Sequence, residues 1–327
     1  MTRTPLRISI GGGGTDLPSY YRENGGGFVI SAAITKYVYI TVNRSFLPGY
    51  FLKYSETEHA DTCDQIRHPL MREAISLHHA PSPLEVVSVA DVPAGTGLGS
   101  SGTFLVGLLH ALYAWQREPV TAETLAQEAV EIEMNRLGEP VGKQDQYIAA
   151  YGGLLCQEYQ PDGEVRVAPL HMTDESLREL RDSLMLFFVG ELRSASPLLG
   201  EQKRLSEARD PAMLDSLHFA RMLGREIRSV LEAGHVVEFG SLMHQHWMRK
   251  RARCRCMSTT RVDSLYDLAR SEGGATGGKL VGAGGSGFLL LHTQDRRRLR
   301  DTMLRAGLSE MDFGFDFDGS VVLLRNA

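Results

Sequence analysis

Four groups of residues have the types and spacing for chemistry. The first is Pro93-Ala-Gly-Thr-Gly-Leu-Gly-Ser-Ser-Gly102, three alternating glycines and two serines, followed at once by an apolar helical stretch from Thr103 to Trp115. Glycines leave backbone N–H groups unshielded. A helix start adds unpaired N–H groups and the positive end of its dipole. Together they form a cradle for an anion, most simply phosphate. Ser100 and Ser101 either cap the helix or turn a hydroxyl to a metal held by the phosphates. The plainer reading of the loop is a glycine-rich turn capped by serine.

The second group is one carboxylate. Thr121 reads as the N-cap of a helix over 122–137 closed by Gly138, with Leu125, Ala126, Ala129, Ile132 and Leu137 as its apolar face. Glu133 stands four residues after Ala129 and eight after Leu125, so it falls on that face, whereas Glu128 and Glu131 do not. A carboxylate there is expensive unless it is paired or binds a cation, so Glu133 is either a metal ligand or the partner of a buried Lys or Arg. The third group is Gly142-Lys-Gln-Asp-Gln-Tyr147 at a loop-to-helix junction. Asp145 beside Lys143 can stay ionised and accept a proton while the Lys neutralises developing negative charge; an N-cap role is the alternative. The fourth is Gly11-Gly-Gly-Gly14-Thr15-Asp16, where glycines let the backbone approach a ligand closely. Asp16 suits gripping sugar hydroxyls, or caps the turn before Leu17-Pro18.

The elements that must position these groups follow from patterning. A strand over 6–10 feeds the Gly11–Asp16 loop, and one over 84–90 feeds the Pro93–Gly102 loop. Strands are expected over 28–33 and 37–42, where Val, Ile, Tyr and Thr dominate. Pro48, Gly49, Pro69, Pro81 and Pro83 break up 43–83, which leaves one helix over 66–79. Residues 154–170 form a hairpin around Pro161-Asp-Gly163, and the domain boundary is placed after it, giving domains 1–170 and 171–327. The second half reads as a strand over 184–189, helices over 197–208, 211–232, 236–250 and 261–272, a glycine-rich turn over 273–287, a strand over 288–292, a helix over 294–306 and a final strand pair.

At 327 residues the chain has room for two domains, since single cores stop growing near about 250–300 residues. The net charge of −5 supplies no reason to expect nucleic acid or a membrane surface. The one basic cluster, Arg249-Lys-Arg-Ala-Arg-Cys-Arg255, is either a solvated helix end or a phosphate-facing patch. Cys63, Cys156, Cys254 and Cys256 match neither a disulfide scaffold nor zinc spacing and read as reduced and non-catalytic. No run approaches the ~20 apolar residues of a membrane span and the N-terminus has no signal-like core, so a cytoplasmic protein is expected. Two motif matches fail on context. Gly273-x-x-x-x-Gly278-Lys279 has Leu280 where a Walker A loop needs Ser or Thr. Gly282-x-Gly284-x-x-Gly287 runs into a strand, so a dinucleotide would find no helix N-terminus. The remaining reading of that stretch is a second glycine-rich wall closing a site from the other domain.

Three motifs, in order and spanning nearly the whole chain, resemble those of the GHMP kinases, the superfamily of galactokinase, homoserine kinase and mevalonate kinase. Pro93–Gly102 resembles the ATP-phosphate motif, Arg7-x-x-x-Gly-Gly-Gly-Gly-Thr-Asp16 the motif that receives the acceptor, and Lys279-Leu-Val-Gly-Ala-Gly-Gly-Ser-Gly287 the C-terminal glycine motif. The GGGTDLP start, Gly142–Tyr147 and Arg193-Ser-Ala look most like the branch of heptose 7-phosphate kinases and fucokinase-like sugar kinases. The resemblance implies a two-domain α+β fold: an N-terminal ribosomal-S5-like α/β domain and a C-terminal ferredoxin-like α+β domain, with the site between them. It implies ATP phosphates on Pro93, Gly95, Thr96, Gly97, Leu98, Gly99, Ser100 and Ser101. It implies Mg²⁺ on Ser101 (or Ser100) and Glu133, and Asp145 as general base with Lys143 beside it. The sugar would sit against Gly12, Gly13, Gly14, Thr15 and Asp16, closed by Gly284 and Gly285, with Arg7 and Arg193 on a phosphate the substrate already carries. The implied reaction moves the ATP γ-phosphate to the anomeric hydroxyl of D-glycero-D-manno-heptose 7-phosphate. A kinase of a free sugar such as L-fucose is the alternative, and a non-catalytic sugar or ATP sensor on the same fold the reading from another class. The implied partners are small molecules, with no nucleic acid and no membrane, and a homodimer is compatible with this reading.

Overall fold

The structure, a computed structural model, describes residues 1–190, 196–253, 257–282, 284–285 and 287–324. Its first half is built on β1 (Thr2–Gly11), a short helix α1 (Pro18–Tyr21) and β2 (Gly27–Asn43). The short strands β3 (Tyr50–Lys53) and β4 (Thr57–Ala60), helix α2 (Pro69–Leu77) and β5 (Leu84–Ala90) follow. Next come helices α3 (Ser100–Gln116), α4 (Ala122–Val130) and α5 (Gln144–Tyr151) and the hairpin β6 (Leu154–Tyr159) and β7 (Val165–Pro169). The two strands expected over 28–42 are one, β2. Its pairing with β1 jumps from Pro5↔Tyr37 to Leu6↔Ile34, which leaves Thr35 and Lys36 as a bulge. The bulged Thr35 is held from outside the pair. Its N–H donates to the Gly314 carbonyl at 3.0 Å and its Oγ1 accepts from Gly314 N–H at 2.7 Å. β3 and β4 escaped the sequence reading because they are four residues each, amid proline breaks.

One edge of β2 takes β1. The other edge takes β6 along residues 27–32 and β5 along 38–43, and the sheet continues through β3 and β4. Helix α3 lies on β1 and β2. Gly107 permits that contact, since a Cβ there would stand 2.8 Å from Thr4 Oγ1, and Thr103 Oγ1 donates to the Pro5 carbonyl at 3.1 Å.

The second sheet holds β8 (Leu184–Phe188), β9 (Ala275–Leu280), β10 (Phe288–Thr293) and β11 (Ser309–Met311), in the antiparallel order β11-β8-β10-β9. Helix α6 (Asp174–Ser183) leads into β8. Helices α7 (Ser196–Glu207), α8 (Pro211–Glu232), α9 (Val236–Arg253) and α10 (Thr260–Ser271) separate β8 from β9, and α11 (Arg296–Arg305) separates β10 from β11. This is a ferredoxin-like strand order with an elaborated first crossover, so the α+β fold implied by the resemblance is the one found. Glycines 273–278, expected in a turn, lie at and within β9. Gly277 is small because α9 rests on it, a Cβ there falling 1.8 Å from the Gly240 carbonyl oxygen, whereas Gly273 is crowded by Ala269 and Leu299 and Gly278 by Leu290 and Leu291 of β10. The expected final strand pair is also corrected. β11 joins the second sheet, whereas β12 (Val321–Val322) pairs with β1 in the first. The return is fixed by Asp316, whose N–H donates to Ala33 and whose carbonyl accepts from Gly153 N–H at 2.6 Å.

Helices α8 and α9 join the two layers. Gly224 of α8 approaches Gly12 so closely that a Cβ would lie 3.1 Å from the Gly12 Cα, while α9 covers β9. Apolar side chains of β1, β2, α3 and α8 share one core with Leu184 and Leu186 of β8; a second core fills the far face of the second sheet around Trp247, Tyr266 and Leu289. Among the described residues no helix is long and apolar enough to cross a membrane.

Candidate active site

A cleft of 1030 Å³ opens at the C-terminal end of β1 and the N-terminal end of α3, and is lined from both sheets. The Pro93–Gly102 loop forms one wall. Gly95, Gly97 and Gly99 all have positive φ, from 79° to 84°, a backbone region in which side chains are strained. Gly99 is the N-cap of α3, so neither serine caps it: Ser100 and Ser101 stand in its first turn. The first intrahelical bond runs from Thr103 N–H to the Gly99 carbonyl, which leaves the preceding N–H groups turned to the cleft. Ser100 Oγ is buried without a partner. Pro93, Gly95, Gly97, Gly99, Ser100 and Ser101 line the cleft. Thr96 and Leu98 do not: Thr96 Oγ1 pins the turn by donating to the Pro93 carbonyl at 3.2 Å, and Leu98 is core.

Glu133 lies in a π-helical turn, Glu131–Arg136, that replaces the last part of the helix expected to reach 137. The turn directs its side chain, 2% exposed, to the cleft floor below Ser101. Gln146 Nε2 donates to Oε2 at 2.5 Å. Burial pushes the carboxyl up to about 7, with the charge of Asp145 adding to it against hydrogen bonds from Gln146 and Ser101. No Lys or Arg among the described residues pairs with Glu133; its hydrogen bonds come from Gln146 and Ser101.

Asp145, in the first turn of α5, is clamped by Arg7 of β1. Arg7 Nε donates to Oδ1 at 2.7 Å and Nη2 to Oδ2 at 2.8 Å, while Nη1 donates to the Gly97 carbonyl at 2.5 Å. The glycines around this pair leave no room for side chains. A Cβ on Gly102 would stand 2.8 Å from Asp145 Cβ, and one on Gly99 would stand 3.1 Å from the Arg7 side chain. The expectation of Arg7 as a free phosphate binder is therefore corrected: its fork is occupied by a carboxylate. Lys143 is also relocated. Its Nζ donates to the Gly163 carbonyl at 2.5 Å, in the β6–β7 turn, and it borders a separate cavity of 700 Å³. Side chains two residues apart at a helix start point in different directions, which spacing alone concealed.

Asp16, Gly13 and Gly14 line the cleft beside Asp145. Asp16 is 7% exposed and its Oδ2 accepts from Gln144 N–H at 3.3 Å. Gly142 makes room for that carboxylate, since a Cβ there would stand 1.8 Å from Oδ2. Burial, then the charge of Asp145, pushes the Asp16 carboxyl up. Gly12 and Thr15 face the protein instead: Thr15 Oγ1 bridges the Gly12 and Phe28 carbonyls at 2.9 Å each. From the second sheet, Gly284 lines the cleft while Gly285 N–H bonds the Met257 carbonyl at 3.1 Å. The two glycine-rich walls interlock, with a Cβ on Gly282 falling 2.7 Å from Gly97 Cα. Arg193 lies outside the described residues, as do Cys254 and Cys256.

Sequence reasoning missed Ser9, His246, Lys250 and Lys279, all in the cleft wall. Lys250 was within the basic cluster. Its neighbours are spent elsewhere, Arg249 on Asp215 and Arg251 on Asp263 at 3.5 Å, whereas Lys250 sits four residues, one turn, after His246 on the inward face of α9. Missed too was the apolar lobe beside the phosphate cradle, where His68 packs between Tyr54 and Phe104 at 4.6 and 5.2 Å.

A loop with unshielded N–H groups, a buried carboxylate with no Lys or Arg partner among the described residues and an arginine-clamped aspartate line one cleft, an arrangement that suits phosphoryl transfer. Residues 66–153 match the model of the GHMP kinases N-terminal domain and residues 227–308 that of the GHMP kinases C-terminal domain. The chain belongs to the GHMP kinases and is a small-molecule kinase, a phosphotransferase with an alcohol acceptor. It is 26% identical to the D-glycero-alpha-D-manno-heptose 7-phosphate kinase of Campylobacter jejuni, over 97% of this chain and 95% of that protein. It is 27% identical to the L-fucokinase/L-fucose-1-P guanylyltransferase of Bacteroides fragilis, over 90% of this chain and 34% of that one. The crystal structure of a D-glycero-D-manno-heptose 1-phosphate kinase from Bacteroides thetaiotaomicron superposes with a TM-score of 0.78 at 25% identity, covering 98% and 97% of the two chains.

Proposed function

We propose that this chain is a cytoplasmic sugar kinase that transfers the γ-phosphate of ATP to the anomeric hydroxyl of D-glycero-D-manno-heptose 7-phosphate, yielding the 1,7-bisphosphate. The observation that carries the kinase chemistry is the Arg7–Asp145 clamp, set between the phosphate cradle at Gly95–Ser101 and the Gly13–Asp16 loop. The heptose assignment rests on the relatives from Campylobacter jejuni and Bacteroides thetaiotaomicron, and the choice of the 7-phosphate on the former alone, the latter being a heptose 1-phosphate kinase.

In this reading the adenine enters the apolar lobe at Tyr54, His68 and Phe104, and the triphosphate meets the N–H groups of the loop and of the α3 N-terminus. Glu133 and Ser101, with Ser100 adjacent, are the residues that would hold Mg²⁺; a single buried carboxylate plus hydroxyls suits an ion that keeps phosphate and water ligands. When bound, that ion supplies neutralisation of charge on the phosphate oxygens. Asp16 orients the sugar hydroxyls. Asp145 accepts the proton of the attacking hydroxyl as its oxygen bonds to the γ-phosphorus and the bond to the β–γ bridging oxygen breaks, releasing ADP. Arg7 keeps the Asp145 carboxylate aimed at that hydroxyl.

A coupled ADP-release assay over heptose 7-phosphate, the free heptose, L-fucose and D-mannose tests the reading. A kcat/KM for heptose 7-phosphate that exceeds all the free sugars is expected. A preference for L-fucose, which the Bacteroides fragilis relative favours, would replace the heptose assignment.

A further inference from the structure

A buried lysine in the cleft has no carboxylate partner among the described residues. Lys279, on β9, is 2% exposed, and its Nζ donates to Ser9 Oγ at 3.4 Å. Burial, then the charges of Lys250 and Arg7, pushes its amine well below the ordinary lysine value, and Arg7 is committed to Asp145. Lys250 reaches the same corner from α9, with Nζ donating to the Gly282 carbonyl at 2.6 Å and the Leu280 carbonyl at 3.4 Å. The close seat of Gly240 on Gly277 brings α9 and β9 together there. Ser9, Lys250 and Lys279 all open onto the cleft.

Burying an ammonium without a partner is costly, and a methionine would fill the same space without that cost. A lysine kept in such a place is explained by an anion that arrives with a ligand and restores its charge. Two ammonium groups and a hydroxyl are the point donors that suit a phosphate monoester dianion. In the reading above the ATP phosphates have their own cradle at Gly95–Ser101, whereas Ser9 precedes the Gly11–Asp16 loop on β1 and a Cβ on Gly13 would stand 3.2 Å from its Oγ.

We propose that Lys279, Lys250 and Ser9 form the subsite for a phosphate monoester that the acceptor already carries, and that they set the preference for a phosphorylated over a free sugar. This rests on the acceptor reading above and assigns its distal phosphate to residues other than Arg7 and Arg193.

The test compares wild type with Lys279→Met and Lys250→Met. It measures kcat/KM for heptose 7-phosphate and for the free heptose, KM for ATP, and the thermal midpoint with and without heptose 7-phosphate. The ratio of the two kcat/KM values should fall by about 30-fold or more in each variant, the lower end of what truncating one partner of a buried charge pair removes. The thermal midpoint of ligand-free Lys279→Met should be unchanged or raised, since a buried amine without a carboxylate partner is gone, and its rise on adding heptose 7-phosphate should shrink. Wild type preferring heptose 7-phosphate with an unchanged ratio in both variants would overturn the subsite and leave the proposed reaction standing. A rise in KM confined to ATP would also overturn it, by placing the ammonium groups on the donor. Wild type without preference for the phosphorylated sugar would overturn both proposals. Should Lys279→Met fail to fold, a ratio unchanged in Lys250→Met alone counts against the subsite.

Discussion

Arg7 and Asp145, 138 positions apart in the chain, meet fork to fork, Nε to Oδ1 at 2.7 Å and Nη2 to Oδ2 at 2.8 Å. The pair spans the floor of the cleft and the third Arg7 nitrogen ties it to the Gly97 carbonyl. A bidentate pair fixes a carboxylate's plane as well as its position. Movement of the phosphate loop is thereby coupled to the aim of the aspartate.

Asp145→Asn keeps the shape of the pair and removes the proton acceptor. Turnover should fall about 10²–10⁴-fold, while calorimetric ATP affinity stays near that of wild type. Arg7→Lys keeps the charge but loses the fork, and should lower kcat about 10²-fold through misplacement of Asp145. The double variant should be less impaired than the product of the two losses, since one residue acts through the other. Normal turnover by Asp145→Asn would remove the base assignment.

Glu133 sets activity against stability. Its carboxyl is pushed up to about 7 in the folded, ligand-free protein from an ordinary value of 4.5. Between those values the folded state binds more protons than the unfolded one, so this residue's contribution to stability falls as pH rises, by about 3 kcal/mol in all above pH 7. Glu133→Gln should therefore gain stability at pH 8, by up to that amount in urea unfolding, and little at pH 4.5. Its turnover with Mg·ATP should fall by at least about 10²-fold. A variant no more stable than wild type at pH 8 would contradict the burial argument.

His292, fully buried, has the opposite sign. Its Nδ1 lies 2.6 Å from Thr276 Oγ1, and burial pushes the imidazole down to about 4 from 6.5. Between those values the unfolded state binds the proton and the folded state does not, so stability falls as pH drops. From pH 7 to pH 5 the loss from this residue is about 2 kcal/mol. His292→Gln should lose that much less than wild type in urea unfolding over the same interval; equal losses would show that His292 charges within the fold.

Lys143, bonded to Gly163 rather than aimed at Asp145, should matter for stability more than for rate. Lys143→Met should lower the thermal midpoint and cut kcat less than about tenfold, below the usual range for an acid–base group. A loss comparable to that of Asp145→Asn would restore the catalytic role that its spacing suggested.

The sequence by itself placed the glycine-rich loop between a strand and an apolar helix, because those signals are local, and it singled out Glu133, because helical periodicity marks which carboxylate falls on the apolar face. It also placed most helices, whose period is local, and the β6–β7 hairpin, whose turn residues are adjacent. What it could not decide were relations between distant residues. β2 is one strand because Gly314 supports its bulge from the far end of the chain. Arg7 is a clamp because β1 and α5 converge. Gly277 is small because α9 rests on it. Lys279, in a run read as a turn, became a buried lysine only when α9 and β1 closed over it. Local periods and backbone permissiveness are written in neighbouring residues; which charges meet, and which are left without a partner, is settled only when separate elements pack.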